Sequence, residues 1–228
     1  MTTISNKLAG DFDTAGFVIL PQVLNMEACA VAAGRVGLAA RGAGGTRCLL
    51  AQPWCADIAA SLRAALGACI PADSVAVQCT YFEKSSDRNW LVPIHQDLSI
   101  PVAARVGDSS LRGWSEKEGV LFVRAPVAVL ERLVAVRIHL DVCGMEDGPL
   151  RVVPGSHLRG AIADSDAVAS RQAGLEVACL AGIGDALVLR PLLLHASSKG
   201  SGSGMRRVLH FVFGPPHLPF GLAWHTAL

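Results

Sequence analysis

The apolar positions of this chain change period near Ser74. Ahead of it, Leu8–Ala15 reads as a short helix that passes through Gly16 into an apolar strand, Phe17–Leu20, stopped by Pro21. Asn25 is placed to cap a second, alanine-rich helix that runs to about Leu38, where glycines 42, 44 and 45 interrupt it. A third helix is predicted from Pro53 to Leu66, with proline at its first turn and Asp57 near the positive end of its dipole. These helices carry no candidate chemistry and are expected to cover one face of a sheet.

Beyond Ser74 the alternation is that of a strand. Val75, Val77, Cys79 and Tyr81 point one way, and Ala76, Gln78, Thr80 and Phe82 the other. With Lys84 in the same register, Gln78, Thr80 and Phe82 would line a polar interior, which needs a ligand or water to satisfy it. Ser85–Asn89 is a loop and Ser99–Ala103 is extended. Gly107–Val123 is a long polar segment that reads as a loop, and residues 104–126 are the candidate lid and substrate-contact region. A short helix over Val127–Leu133 leads into the strand Val134–Asp141. There Arg137, His139 and Asp141 share one face and Val136, Ile138 and Leu140 the other, unusually polar for a central strand. Glu146-Asp147-Gly148 is a tight turn, Pro149–Val153 a short strand, and residues 160–174 a helical or looped insertion. The last strands are Ala186–Leu189, continuing to His195, and Arg206–Phe213, joined by a Ser/Gly-rich connection over 197–204. Many short strands with Gly and Pro turns, preceded by helices, indicate a mainly β protein of closed or two-sheet architecture.

At 228 residues the chain most simply makes one domain, 1–228. Hydrophobic residues are 51% and charged residues 17%, with a formal charge of +1, which fits neither a disordered chain nor a nucleic-acid binder that works by neutralising phosphates. Small molecules are the expected partners. Seven cysteines, an odd and scattered set without Cys-x-x-Cys, point to free thiols in a reducing compartment. The first residues lack a charged segment followed by an apolar one, and the apolar run Ala186–Leu194 is broken by Arg190 and Pro191. A soluble, cytoplasmic protein without membrane contact is the expectation.

The candidate chemistry lies in Val92-Pro-Ile-His95-Gln-Asp97-Leu98. On a strand, residues i and i+2 share a face, so His95 and Asp97 can bind one ion together. A second, distant histidine would complete the two-histidine, one-carboxylate set of mononuclear non-haem Fe(II) enzymes, which leaves positions open for co-substrate and O2. Taken alone, His-x-Asp arises by chance often enough that an ordinary pair near a strand end is the better reading of it.

Three further stretches change that balance. His95-Gln-Asp97, Asp147-Gly-Pro-Leu-Arg-Val-Val-Pro-Gly-Ser-His157, Gly184-Asp-Ala-Leu-Val-Leu-Arg-Pro-Leu-Leu-Leu-His195-Ala-Ser197 and Arg206-Arg207 follow one another in the order and spacing of the phytanoyl-CoA dioxygenase family. The opening Asp13-Thr-Ala-Gly-Phe-Val-Ile-Leu-Pro21 resembles that family's N-terminal strand, and Phe82-Glu-Lys84 with Asn89-Trp90 resembles its shorter bacterial members. The resemblance implies a double-stranded β-helix, the jelly-roll or cupin-like barrel, holding Fe(II) and 2-oxoglutarate at its mouth and using O2. His95, Asp97 and His195 would be the iron ligands. Arg206, eleven residues after His195, would pair with the far carboxylate of 2-oxoglutarate, where a guanidinium fork fits and offsets a buried dicarboxylate. Ser197 would donate to the same carboxylate, while Arg137 and Thr80 would line the co-substrate site and Gln96 approach it.

Arg207, with the alternation of Leu209, Phe211 and Phe213, is expected to face away. His139 and His210 either line the cavity or fill the core, His157 belongs to a turn, and Trp90 and Trp114 are packing residues. The implied reaction is hydroxylation of an unactivated C–H bond of a small molecule with release of succinate and CO2. Asp97, standing where a small residue would free a site for halide, disfavours halogenation. Two other readings stay open: a metal-dependent cupin-type enzyme without 2-oxoglutarate, and a non-catalytic scaffold on the same fold.

Overall fold

A computed structural model describes residues 2–39 and 45–228. In chain order it contains α1 (Thr2–Ala15), β1 (Phe17–Leu20), α2 (Met26–Ala39), β2 (Gly45–Thr46), α3 (Pro53–Ala65), β3 (Val75–Lys84), β4 (Val92–His95), β5 (Ser99–Val102), β6 (Arg112–Lys117) and β7 (Val120–Arg124). There follow α4 (Val127–Leu130), β8 (Val134–His139), β9 (Leu150–Val152), α5 (Asp164–Ala173), β10 (Val177–Cys179), β11 (Ala186–Leu189), β12 (His195–Ser197) and β13 (Arg206–Gly214). The first helix therefore begins well ahead of the expected Leu8.

The strands form three antiparallel sheets. A six-stranded sheet runs β1-β11-β8-β13-β3-β2, a four-stranded sheet β10-β9-β12-β4, and a three-stranded sheet β5-β7-β6. Most neighbours in the two larger sheets are remote in sequence, the sign of a jelly roll rather than a meander. The outer face of the large sheet carries Tyr81, Ile138, Leu209, Phe211 and Phe213, all at most 1% exposed, packed on Phe12, Val36, Leu62 and Ile70 from the helical segments. Each such side chain contributes about 1.5–3 kcal/mol on burial, which is what holds the helices to the sheet.

The inner face is divided. Near β1 and β11 the two larger sheets meet through Leu187, Leu189, Leu150, Val152 and Leu193, a dry apolar core. Near β3 and β13 the inward residues turn polar and the space between the sheets opens into a cavity. The three-stranded sheet and the C-terminal tail close that end, with Ile100, Val123, Leu133 and Trp224 in one cluster and the Trp224 indole N–H donating to the Pro215 carbonyl at 2.8 Å.

Four expectations need correction. The strand alternation of β3 breaks at a bulge, where Val77 is the extra residue opposite the Val212–Phe213 step of β13, so Ala76 joins the outer core while Val77 faces the cavity. The polar segment Gly107–Val123 is not a loop: β6 and β7 form a hairpin paired to β5, turning at Glu118 and Gly119, both left-handed with φ of 53° and 76°. The run Ala186–His195 is not one strand. β11 belongs to the six-stranded sheet and β12 to the four-stranded one, and the chain crosses between them at Arg190–Leu194, where Pro191 has no N–H to continue a ladder. Asp141 leaves the face of Arg137 and His139, because β8 ends at His139 and Asp141 bends outward to bind Arg207.

Candidate active site

β4 and β12 are adjacent and antiparallel, and their register sets His95 directly opposite His195. The two rings lie 4.3 Å apart at 54°. Asp97 stands just past the end of β4, its backbone N–H bonded to the Pro191 carbonyl at 2.9 Å, so the crossover that carries His195 also fixes the carboxylate. Asp97 Oδ1 is 3.7 Å from His95 Nε2, and Oδ2 is 3.6 Å from His195 Nε2. Atoms bound to one ion at about 2.1 Å each lie roughly 3–4 Å apart, so this spacing fits a shared metal.

Both histidines are oriented the same way. The Nδ1 atoms lie 2.8 Å from the carbonyls of Pro93 and Leu193, which assigns the proton to Nδ1 and turns each Nε2 lone pair toward Asp97. Burial opposes the ionised form of Asp97, but its interactions with His195 and His95 outweigh it and hold the carboxyl well below its usual range. Burial, with repulsion from His95, pushes His195 below its ordinary value, whereas at His95 burial is outweighed by Asp97 and the imidazole is raised. An ionised carboxylate and a neutral imidazole are the forms that bind metal.

The inner faces of β3, β13 and β8 carry the second half of the site. Arg206 lies opposite Lys84, and His210 opposite Thr80 on one side and Arg137 on the other. All five are buried. Lys84 Nζ donates to Ser197 Oγ at 2.8 Å and to the Ser198 carbonyl at 2.5 Å. Arg206 Nη1 donates to the Gly148 carbonyl at 2.5 Å, while the Nε atoms of Arg206 and Arg137 have no partner among the described residues. Burial, then repulsion from Arg206 and Arg137, lowers Lys84 to about 8. Burial, then Arg137, lowers both His139 and His210 to about 3, so they are neutral.

A cavity of about 450 Å³ joins Thr80, Arg137, Arg206 and His210 to the metal-binding side chains, within the range of small-molecule sites. Thr80, Arg137, Ser197, Arg206 and His210 line it together with His95, Asp97 and His195. Its remaining wall is largely apolar. Buried polar donors without partners, aimed into a cavity beside three convergent metal-binding groups, fit Fe(II) and a dicarboxylate.

The other sequence candidates fall elsewhere. Gln96 touches the cavity, but its amide is committed to the backbone: it donates to Gly160 and Leu192 and accepts from Ile162. It braces the metal-binding segment instead of reaching for co-substrate. Arg207 faces outward in a bidentate pair with Asp141 at 2.7 and 2.8 Å. His157 packs in its turn against the Asp13 carbonyl, and Trp114 lies under Arg105. Lys84 is the residue sequence reasoning assigned no role, although its place on the inner face of β3 was the available signal.

A jelly roll with two histidines and a carboxylate at its mouth, and cations deeper in the barrel, defines the class of Fe(II)/2-oxoglutarate oxygenases. The chain belongs to the phytanoyl-CoA dioxygenase (PhyH) family, whose model matches residues 12–208 and whose members depend on Fe(II) and 2-oxoglutarate and use O2.

Solved structures share the fold. EctD from S. alaskensis in its apo form has a TM-score of 0.70 at 19% identity, covering 97% of this chain and 82% of its own. The non-haem α-ketoglutarate-dependent epimerase SnoN from nogalamycin biosynthesis has a TM-score of 0.69 at 17% identity, covering 99% and 87%. HygX from Streptomyces hygroscopicus, with nickel, 2-oxoglutarate and hygromycin B bound, has a TM-score of 0.64 at 20% identity, covering 94% and 88%. No curated protein sequence matches the chain. No helix among the described residues is long and apolar enough to cross a membrane.

Proposed function

We propose that this protein hydroxylates an unactivated C–H bond of a small molecule, with His95, Asp97 and His195 holding Fe(II) and with Arg206 and Ser197 receiving the far carboxylate of 2-oxoglutarate. The observation that carries the reading is the convergence of His95, Asp97 and His195, with ligand atoms all within 4.8 Å of one another, on a cavity that ends in buried cations. Fe(II) and 2-oxoglutarate held there would activate O2, the oxidant of the reaction, one of whose oxygen atoms would enter succinate as 2-oxoglutarate loses CO2 and the other the substrate C–H bond.

The chain's own residues set the terms of that chemistry. Carbonyls of Pro93 and Leu193 lock the imidazole tautomers. The Arg206 fork offers two parallel donors to a carboxylate. Lys84 donates to the Ser197 oxygen, so the Ser197 hydroxyl hydrogen is turned away from the ammonium and toward the cavity. Thr80 supports the same wall, and its hydroxyl already accepts from Gln78 at 2.8 Å. Val77, Ile100, Phe122 and Leu133 present hydrocarbon, suited to excluding water from a substrate C–H bond. The retained carboxylate of Asp97 leaves no vacancy for halide, which supports hydroxylation over halogenation.

Anaerobic addition of Fe(II) and then 2-oxoglutarate tests the reading. A visible charge-transfer band is expected in the wild-type protein, greatly weakened in Arg206→Ala at the same concentrations. Its absence from the wild type, together with unchanged 2-oxoglutarate affinity in Arg206→Ala, overturns the assignment.

A further inference from the structure

His210 is a buried, neutral imidazole on the inner face of β13 whose two nitrogens face different partners. Its Nδ1 lies 3.4 Å from Arg137 Nη1, and because a guanidinium can only donate, Nδ1 accepts and the ring proton is fixed on Nε2. The Phe82 ring meets the imidazole edge-on at 5.9 Å and lies 5.3 Å from the Arg137 guanidinium, which holds both groups in place. The Nε2 hydrogen has no partner among the described residues, yet it is not enclosed by protein, because the ring lines the cavity. Asp97 and His195 are within electrostatic reach of it. An uncharged donor therefore faces the space beside the metal-binding set.

Gln78 supplies the complementary group. It pairs with Val212 in the register that sets Thr80 opposite His210, so Gln78 and His210 are diagonal neighbours, about 7–8 Å apart at the backbone and within reach of long side chains. Both line the cavity. The Gln78 amide nitrogen donates to Thr80 Oγ at 2.8 Å, which leaves its carbonyl oxygen without a donor and turned to the same space. The cations deeper in the barrel belong to the co-substrate. What this floor offers a second molecule is one hydrogen and one acceptor oxygen without charge, set among Val77, Leu133 and Val212. A charged group there would lose its water and gain no counter-ion, and a hydrocarbon would leave both polar atoms unpaired. A hydroxyl satisfies both through one atom, since its oxygen accepts while its hydrogen donates.

We propose that Gln78 and His210 together recognise a hydroxyl group of the primary substrate, an uncharged alcohol whose hydrocarbon part lies on the apolar wall. The proposal rests on the oxygenase reading above and adds the substrate class. His210 Nε2 donates to the hydroxyl oxygen, and the hydroxyl donates to the Gln78 carbonyl oxygen. The C–H bonds beside that carbon are thereby held toward His95, Asp97 and His195.

The test uses Fe(II)-loaded protein under anaerobic conditions, with 2-oxoglutarate at a concentration that saturates the charge-transfer band of each variant. Alcohols from butan-2-ol to octan-2-ol, with cyclopentanol and cyclohexanol, are titrated in beside the ketone of each, and the band and the melting temperature are read. A ketone accepts from His210 but has nothing to donate to Gln78. At least one alcohol is expected to bind about fivefold or more tightly than its ketone, the worth of one neutral hydrogen bond. Gln78→Leu removes that preference. His210→Phe weakens alcohol and ketone alike by about fivefold or more, and His210→Gln, which keeps a donor, recovers part of the loss. Nitrogen-15 spectra of the histidine rings in the metal-free protein, with His210 assigned by its loss in His210→Gln, should place its proton on Nε2. Silence of every alcohol, equal binding of alcohols and ketones, a preference that survives Gln78→Leu, wild-type affinities in His210→Phe, or a proton on Nδ1 overturns the proposal. The wild-type comparison of alcohol with ketone stands even if a variant fails to fold. A wild-type protein that forms no band with 2-oxoglutarate defeats the oxygenase reading itself, a separate outcome that takes the hydroxyl site with it.

Discussion

Lys84 and Arg206 face each other across adjacent antiparallel strands, both 3% exposed, and neither forms a salt bridge among the described residues. Like charges in directly opposed positions destabilise a sheet unless an anion joins them. A ligand carboxylate placed there would meet the Arg206 fork, the Ser197 hydroxyl and the field of the ammonium. Replacing Arg206 by Ala should raise the 2-oxoglutarate dissociation constant on the order of 100-fold, as removal of one partner from a buried charge pair does.

The same pair predicts a pH dependence. Lys84 titrates near 8 in the ligand-free protein, below its usual 10.5. A bound dianion favours the ammonium, so above pH 8 binding takes up a proton and affinity falls as pH rises, by up to about tenfold per unit. Calorimetry in buffers of different ionisation heat should detect the uptake, and Lys84→Met should lose both the uptake and the slope. For the free protein, the unfolded chain holds the Lys84 proton between pH 8 and 10.5 and the folded one does not. This residue's contribution therefore makes the fold more stable as pH rises through that window.

Metal binding should be legible in stability. A ligand at 100 times its dissociation constant adds about 2.7 kcal/mol, which raises the melting temperature of a chain of this size by about 5–10 °C. Anaerobic Fe(II), or Co(II) as a redox-stable substitute, should produce that shift in the wild type, and chelator should reverse it. Asp97→Ala and His195→Ala should show none of it. An equal shift in those variants would place the metal elsewhere.

The His95 and Asp97 pair was legible because its spacing is local, whereas the remote His195 was implied only by the family resemblance. His95 and Asp97 are two residues apart, and the Gly-Asp turn ahead of His195 belongs to the stretch that carries the resemblance. The inward face of β3 and the outward turn of Arg207 followed from strand parity. Parity failed where the backbone departs from it: at the bulge formed by Val77, and at Asp141 just past the end of its strand. Gln96 was misjudged because its partners, Gly160, Ile162 and Leu192, are 64 to 96 residues away and two of its bonds go to backbone oxygens, which no side-chain pattern encodes. The polar stretch of β6 read as a loop because both its faces are mostly exposed, so it lacks the alternation that identifies a half-buried strand.

Gly148 joins the turn before β9 to both anchors. Its φ is 63°, and a Cβ there would sit 2.5 Å from the Ser198 carbonyl oxygen and 3.1 Å from the Gly200 amide. That Ser198 oxygen accepts from Lys84, and the Gly148 carbonyl accepts from Arg206. Gly148→Ala should cost at least about 1–2 kcal/mol for the left-handed backbone alone. It should also weaken 2-oxoglutarate binding, because the methyl drives apart the two carbonyls that hold the cations. A melting curve and an anaerobic co-substrate titration separate the two effects, and a variant with wild-type affinity would show that the anchors do not depend on this turn.

The hairpin over the cavity is tied down at its tip. Glu118 accepts from the Thr46 hydroxyl at 2.9 Å, the Arg47 amide at 2.8 Å and the Arg47 guanidinium at 2.9 Å, while its neighbour Lys117 and Arg47 itself line the cavity. Exposed ion pairs contribute about 0–1 kcal/mol, so Glu118→Ala should barely move the melting temperature. It should instead free the hairpin locally, and trypsin cleavage after Arg112 and Lys117 should accelerate well beyond any change in global stability. Burial opposes ionisation of Glu118, but its bonds to Arg47 and Thr46 outweigh it and hold the carboxyl below its ordinary value. A group shifted that way stabilises above its unfolded pKa and loses the effect as pH falls through the folded one. The tie should therefore persist at neutral pH and release only in acid, and wild-type cleavage in a protease active at low pH should then approach that of Glu118→Ala. Equal cleavage rates of the two proteins at neutral pH would mean that β5 pairing alone holds the hairpin, and that Glu118 plays no part in closing the cavity.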